Sequence, residues 1–381
     1  MGAASVPFGD HRLVFVAPDE GQTAVGDYAQ DLVTALRPHF GEIVEHRTAG
    51  PGQDSLADLR RHRAQVRRLV AEGPPGRTLV HAELSTGVLP TFWAVAGLRG
   101  VPVTSTIHDP PQGLWFLART RSIAKSRLLT HGIHYPLRPL SQAIEGRVHR
   151  DRTLIALTET GRQSIARTYP RTSTFYVPHL VRDRPAIRPA EERPKAVGFF
   201  GFVYRGKGFE QIARIRDLLP ADIAIRVAGR GTEALPRAEG IEILGGVDGP
   251  EEDAFFDSVR AIVVPYGKRH FYAETYPASG VVAHAMAYST PVVCTGYGSL
   301  AELDSAHGVL NVSPRGEGDD AVATGLAEGI ESLLNDPTRL AELGRNADRT
   351  RQERSAERTA DALVQIWTHV LAGQRRKPMN G

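Results

Sequence analysis

A single cysteine, Cys294, stands in the 381 residues of this chain. No intrachain disulfide can form, and no cysteine-based metal site exists. Lysine is nearly as scarce: of 46 basic side chains only Lys125, Lys195, Lys207, Lys268 and Lys377 are lysines. The longest apolar run, Leu89–Leu98, is too short to span a bilayer and contains a proline. The opening segment MGAASVPFGDHR lacks the charged start and apolar core of a signal peptide. The expectation is a cytoplasmic protein, with peripheral contact at the inner membrane surface left open. Walker, HExxH and GxSxG motifs are missing, as is a metal-bridging DxD triplet, since Gly318-Asp319-Asp320 lacks the spacing. Neither a metal nor a cofactor is therefore expected. Net charge is only +3, without the concentrated basic and aromatic stripes of nucleic-acid binders, so no nucleic acid is expected as a partner.

Apolar strand-like runs alternate with helical patterns throughout. The strands read Leu13–Ala17, Glu42–His46, Thr78–Leu84, Val101–His108, Thr153–Thr158 and Thr174–Val177 in the first half. In the second they read Ala196–Val203, Ile223–Ala228, Ile241–Leu244, Ala261–Pro265, Pro291–Thr295 and Gly308–Val312. Proline-rich 182–194 separates the halves as a stiff linker. The predicted fold is α/β: two doubly wound Rossmann-like domains, 1–181 and 195–350, facing a cleft. A helix over 351–373 packs near the domain junction, and 374–381 fray. A long helical region, Ile123–Arg150, lies in the densest basic stretch, Arg119–Arg152; it reads either as a solvated face or as a cationic rim for an acidic or membrane-borne acceptor.

Six features fall just after strands. Gly21–Tyr28 brings Gly26 and Asp27 to a helix start, which also suits an ordinary capped helix. His108-Asp109-Pro110-Pro111 closes a strand with a polar pair and a proline-fixed loop. A histidine there can bond a sugar hydroxyl, steady a developing charge or simply stabilise the loop. Gly201–Gly208 carries Arg205 and Lys207, a guanidinium fork and a compact charge suited to a diphosphate, or else two solvated cations on a turn. Gly229-Arg230-Gly231 ends the next strand and allows close approach of a ligand. Ser279 and Gly280 start a helix of small residues and offer an anion-binding end, or a plain serine cap. Glu302, after Tyr297-Gly298, is either a hydroxyl-binding carboxylate or a solvated one. Glu251-Glu252-Asp253 reads as an acidic first turn, which the helix dipole explains without function, and His179 reads as core or linker packing.

Together these motifs resemble the family-4 retaining glycosyltransferases of the GT-B fold, over nearly the whole chain. The matching residues are Ala24–Ala29, His108-Asp109, Gly201–Gly208, the VAGRG strand end, Ala285-Met286-Ala287 with Thr290–Val293, and Gly298–Glu302. The resemblance implies that the second domain binds a nucleotide-sugar donor and the first a hydroxyl acceptor, which is a small molecule, a lipid-linked compound or a glycan. It implies Arg205 and Lys207 on the diphosphate, His108 beside the reacting sugar, retention, and no metal. Donor contacts are expected from Gly26, Gly229, Ser279, Gly280, Val281, His284 and Glu302. One departure stands out: the family carries two glutamates with seven residues between them, one on the donor sugar and one on the ribose. Here His284 occupies the second place and Tyr276 the first, so Glu274 is expected to substitute on the sugar and Glu302 to take the ribose. A catalytically degenerate scaffold and a nucleotide-sugar epimerase are the alternatives.

Overall fold

The computed structural model describes residues 6–112, 120–204, 206–267, 274–313, 316 and 318–375, so Arg205 lies outside the described residues. Two compact units emerge. The first holds Met1–Leu180, Thr275–Ala278 and Ala356–Gly381; the second holds Val181–Glu274 and Ser279–Ser355.

The first unit runs β1 (Phe8–Pro18), α1 (Ala24–Leu36), β2 (Phe40–Thr48), α2 (Leu56–Ala71), β3 (Thr78–Leu84), α3 (Leu89–Val95), β4 (Val103–Ile107), α4 (Arg121–Ala124), α5 (Arg127–Val148), β5 (Thr153–Ala156), α6 (Glu159–Thr168) and β6 (Ser173–Tyr176). Its six strands form one parallel sheet in the order β2-β1-β3-β4-β5-β6. A parallel sheet covered on both faces must be apolar on both, and every residue of β3 is indeed buried. Alternate residues of β1 feed two separate cores: Leu13 and Phe15 lie with Leu32 and Leu36 of α1, while Val14 and Val16 lie with Val66 and Phe92.

The second unit runs β7 (Ala196–Phe200), α7 (Ile212–Leu218), β8 (Ala224–Ala228), β9 (Ile241–Gly245), α8 (Pro250–Asp257), β10 (Ala261–Val264), α9 (Gly280–Ala287), β11 (Val292–Thr295), β12 (Val309–Val312), α10 (Asp319–Leu334) and α11 (Pro337–Glu353). Its parallel sheet is ordered β12-β11-β10-β7-β8-β9. The last helix, α12 (Ala356–Arg375), returns to the first unit, where Trp367 is fully buried and donates its indole N–H to Thr104 Oγ1 at 3.0 Å. In each sheet the strand order reverses once, between β1 and β3 and between β7 and β10. Loops leave the carboxyl ends of those two strands in opposite directions, which is where doubly wound sheets bind ligands. Among the described residues no helix is long and apolar enough to cross a membrane.

Two sequence expectations change and an open one is settled. Segment 182–194 is no free linker: it belongs to the second unit, and Arg193 is a buried tie. Its guanidinium donates to the carbonyls of Arg188 (2.7 Å) and Tyr288 (3.1 Å) and to Thr290 Oγ1 (2.8 Å), and burial brings its pKa down to about 10. The 351–373 helix begins only at Ala356, because α11 runs to Glu353 and Ser355 pairs with Val181. The Ile123–Arg150 region, read from sequence as one or two helices, is two, with Ser126 capping the second through the Leu129 N–H. Two arginines of the basic stretch are tied to backbone carbonyls. Arg121 donates to Gln53 O at 2.7 Å, and half-buried Arg152 donates to Val95 O at 3.0 Å.

His149, in the same stretch, is fully buried between the rings of Phe92 (5.5 Å) and Tyr169 (6.2 Å). Neither ring nitrogen has a hydrogen-bond partner among the described residues. Burial, helped by the Arg152 charge, lowers its pKa to about 3. The folded state therefore binds this proton less readily than the unfolded state, so its contribution is complete above about pH 6.5 and is lost as pH falls toward 3. His149→Phe is expected to keep the ring contacts and to flatten the fall of the unfolding midpoint between pH 6.5 and 4. Thermal unfolding of both proteins across that range checks it; an unchanged pH slope would remove His149 from the effect.

Candidate functional site

In the second unit the loops after β7 and β10 meet at the strand reversal. The β7 loop is forced into shape by glycine: Gly208 has φ +76°, and a Cβ there would strike the Pro265 carbonyl at the end of β10. That close approach sets half-buried Lys207 beside Tyr266. Lys207 Nζ donates to the Tyr266 hydroxyl and lies 3.9 Å from the centre of the same ring, with Tyr204 at 5.3 Å. The Tyr266 hydroxyl in turn lies 3.1 Å from Ser279 Oγ, the N-cap of α9, which accepts the Val282 N–H at 3.3 Å. Burial pushes the Tyr266 phenol well above its usual range, so it stays protonated and can donate onward to Ser279. A lysine charge and the positive end of a helix are thus joined by one tyrosine hydroxyl.

Neighbouring predicted residues fall around this group with different roles. Gly229 (φ +130°) lets the end of β8 touch that of β7, since a Cβ would strike the Gly201 carbonyl. Val281 is buried against Gly201, and Gly280 opens α9 with nothing near its Cα hydrogens. Glu302 closes a short 3-10 turn, Gly298–Glu302, rather than opening an α-helix. Exposed Glu274 is close enough that its charge, after burial, raises the Tyr297 phenol.

His284 does not stand alone. Its Nδ1 lies 3.0 Å from Glu252 Oε1, on α8. Glu252 is buried, and also accepts from Arg184 Nη2 at 2.9 Å and from the Tyr288 hydroxyl at 3.3 Å. Burial pushes its carboxyl up, but the hydrogen bonds and charges of His284 and Arg184 outweigh this and hold it ionised. The acidic turn at 251–253 is therefore more than a dipole cap. The histidine that departs from the family pattern is matched by a carboxylate beneath it, and a glutamate at 284 would face Glu252 across about 3 Å.

In the first unit the reversal lies between β1 and β3. Gly26 does not offer its N–H outward, because Thr23, the N-cap of α1, accepts it at 3.0 Å. Its lack of a side chain is needed because a Cβ would strike the Asp19 carbonyl. Asp27 reaches back to the Gly21 N–H at 2.7 Å. His108, just past β4, is held from below: its Nε2 is 2.6 Å from Glu83 Oε2, and Tyr28 of α1 meets its ring edge-on at 5.1 Å. His179 meets the same Tyr28 ring edge-on at 4.9 Å, the packing role expected of it. Asp109 is a loop tie, accepting from Ser85 Oγ, Thr86 N and Thr86 Oγ1, each at 3.1 Å.

Glu83 is the residue that the motifs passed over. Fully buried, it bridges His108 and His81, whose Nε2 lies 3.0 Å from Oε1. Burial alone would raise its carboxyl, yet the two histidines outweigh that and hold it at about 2. The signal was present: His81 and Glu83 alternate on β3 opposite Thr104 and Thr106 on β4, so one sheet face is polar in an otherwise apolar strand pair. Tyr266 had no such signal, being one aromatic residue in a loop. Among the described residues no group of three or more His, Cys, Asp or Glu side chains could hold a metal ion.

Residues 194–336 match the family model of glycosyl transferases group 1. Over 90% of its length the chain is 28% identical to D-inositol 3-phosphate glycosyltransferase of Thermobispora bispora, spanning 84% of that protein. The fold is that of Anabaena HepE solved with UDP and glucose, at TM-score 0.61 and 13% identity, covering 94% of this chain and 100% of the other. It is similarly that of AviGT4, a glycosyltransferase involved in avilamycin A biosynthesis, at TM-score 0.57 and 16% identity over 95% and 98% of the two chains. The group 1 match covers the Lys207, Ser279 and His284 elements, and the two doubly wound parallel sheets have the GT-B fold of the glycosyltransferases named above.

Proposed function

We propose that this enzyme transfers a sugar from a nucleoside diphosphate donor to a hydroxyl acceptor with retention of anomeric configuration and without a metal, as family-4 members do. The observation that carries the reading is the Lys207–Tyr266–Ser279 chain at the strand reversal of the second unit. It sets a cation and a helix N-terminus at one point, a combination suited to a leaving diphosphate. The structural neighbour HepE, which binds UDP and glucose, supports a nucleotide sugar as donor. A relative that glycosylates an inositol phosphate supports a polyol-like hydroxyl acceptor. The second unit is assigned the donor, with Lys207, Ser279, Gly280, Val281 and Gly229 about the phosphates and Glu274, His284 and Glu302 toward its sugars. The first unit presents His108 to a substrate hydroxyl. In the reaction the bond from the anomeric carbon to the phosphate oxygen breaks, and the acceptor oxygen bonds that carbon on the same face. The acceptor proton passes to the leaving phosphate. Lys207 stabilises the negative charge growing there. An epimerase or a non-catalytic scaffold is not favoured beside the group 1 match.

Lys207→Ala is expected to lower turnover on the order of a hundredfold, about 3 kcal/mol in the transition state. Because Lys207 is half-buried against two tyrosines, a stability loss of about 1 kcal/mol should accompany it. Steady-state kinetics with a nucleotide sugar, beside a denaturation curve, reads both; near-wild-type turnover would take Lys207 out of the site.

Turnover should survive EDTA. Loss on chelation, restored by magnesium or manganese, would contradict the metal-independent reading.

Glu274→Gln should slow transfer while leaving affinity for free nucleoside diphosphate intact, since the sugar it touches is absent from that ligand. The loss of a charged hydrogen bond, about 1.5–3 kcal/mol, is readily resolved. His284→Ala should instead weaken the free nucleotide, measured by calorimetry. Unchanged values for both variants would move the donor sugars to other residues.

A further inference from the structure

A buried hydrogen-bonded chain runs through the first unit and ends at His108. It starts at Trp367 of α12, whose indole N–H is a donor only and reaches Thr104 Oγ1 at 3.0 Å. Thr104 Oγ1 lies 2.8 Å from His81 Nδ1. His81 Nε2 lies 3.0 Å from Glu83 Oε1 and 3.1 Å from Thr106 Oγ1. Glu83 Oε2 lies 2.6 Å from His108 Nε2. Trp367, Thr104, His81 and Glu83 are all essentially inaccessible to solvent, and His108 is where the chain reaches the outside.

The polarity of this chain is fixed from both ends. Glu83, ionised, can only accept, so His81 Nε2 and His108 Nε2 must both carry hydrogens. His81 in its neutral form then has a bare Nδ1, which the Thr104 hydroxyl can fill, and Thr104 is free to donate there because its oxygen already receives the Trp367 N–H. Every bond agrees. For His108 the consequence is a defined tautomer: Nε2–H is committed to Glu83, while Nδ1 makes no hydrogen bond among the described residues. The other charged or titratable groups nearby are Tyr28 on α1, with Asp31 and His179 beside that tyrosine, and Asp109 next in sequence. Among the described residues none of these makes a hydrogen bond to the His108 ring, so Glu83 alone sets it.

An ion buried in a sheet is costly relative to an apolar residue of the same size, and β3 could have been completed by one. We propose that Glu83 is a positioning residue for His108, fixing the Nε2–H tautomer so that Nδ1 is presented as the hydrogen-bond acceptor for a substrate hydroxyl. This rests on the assignment of His108 to a substrate hydroxyl made above. His81, Thr104 and Trp367 fix Glu83 in turn, which gives the C-terminal helix a part in arranging the site.

The test is Glu83→Gln, the nearest isostere. The glutamine amide can donate to His108 Nε2, so the ring should keep its place while its hydrogen moves to Nδ1. Nitrogen NMR of the histidine-labelled enzyme reads the tautomer directly, without activity. Wild type is expected to show Nε2–H on His108, and Glu83→Gln to show Nδ1–H. With a nucleotide sugar and acceptor, kcat should fall on the order of 10²–10⁴-fold with KM little changed, as the wrong tautomer does in serine-protease triads. Glu83→Asp, which keeps the acceptor, should recover part of that loss. A wild-type spectrum with Nδ1–H would overturn the proposal, even if the variant failed to fold. So would a flipped tautomer with unchanged kcat, provided His108→Ala is inactive. If His108→Ala itself keeps full turnover, the substrate role assigned to His108 falls and the presented Nδ1 falls with it. A flipped spectrum would then leave Glu83 holding the ring and nothing more.

Discussion

A parallel sheet whose strand order reverses leaves two neighbouring strands with loops departing to opposite sides, and nothing covers their carboxyl ends. Both sheets of this protein are organised around such a point, β1/β3 in one unit and β7/β10 in the other. Lys207, Tyr266 and Ser279 lie at the second of these, while His108 follows β4, the strand beside β3. In the second unit the gap is narrowed until backbone touches backbone: Gly208 lies against the Pro265 carbonyl and Gly229 against that of Gly201. Only residues without a side chain permit this, and the narrowing is what delivers Lys207 to Tyr266. A lysine on an open turn would be a solvated charge of little consequence. Held over an aromatic ring and bonded to a hydroxyl that continues to a helix cap, it becomes a fixed one.

Three buried ions show how the chain manages the cost of desolvation. Arg193 spends its donors on carbonyls and a threonine hydroxyl and acts as an internal tie for segment 182–194. Glu252 gathers a histidine, an arginine and a tyrosine. Glu83 gathers two histidines. Only the two carboxylates hold a side chain that also reaches the outside of its unit, His284 in one case and His108 in the other. A charge that orients an accessible imidazole has a use that a purely internal tie lacks. The substitution of histidine for the family's second glutamate is therefore not an isolated loss, because its neighbourhood carries the opposite charge.

The twelve strands among the described residues were all legible, the central ones as continuous apolar runs buried on both faces, the half-exposed edge strands β2, β6 and β9 as short runs between turn residues and helical patterns. Helix ends were less so. Thr23 rather than Asp27 caps α1, and Ser126 makes two helices of a stretch whose periodicity left one or two open. Periodicity reports which face is buried, not where a side chain elects to cap. Lys207, Ser279 and His108 were legible as candidates from their positions after strands, since glycine, helix starts and strand ends are local events. Their partners were not. Tyr266 is separated from Lys207 by 59 positions, and Glu83 from His108 by 25.

The sequence by itself determined the two α/β units, their parallel sheets and the resemblance to GT-B glycosyltransferases, because each depends on patterns within a few residues of one another. It also offered the polar face of His81 and Glu83, but as an alternation whose purpose only pairing with Thr104 and Thr106 of β4 makes plain. Tertiary structure alone decided that Lys207 rests on Tyr266, that His284 answers to Glu252, that His149 is sealed between aromatic rings and that Trp367 closes over the first sheet. Each of these is a contact between segments distant in sequence, selected by which faces pack together and which buried polar groups must find a partner. A local pattern can state that a group will be buried, but only the assembled fold states what it will be buried against.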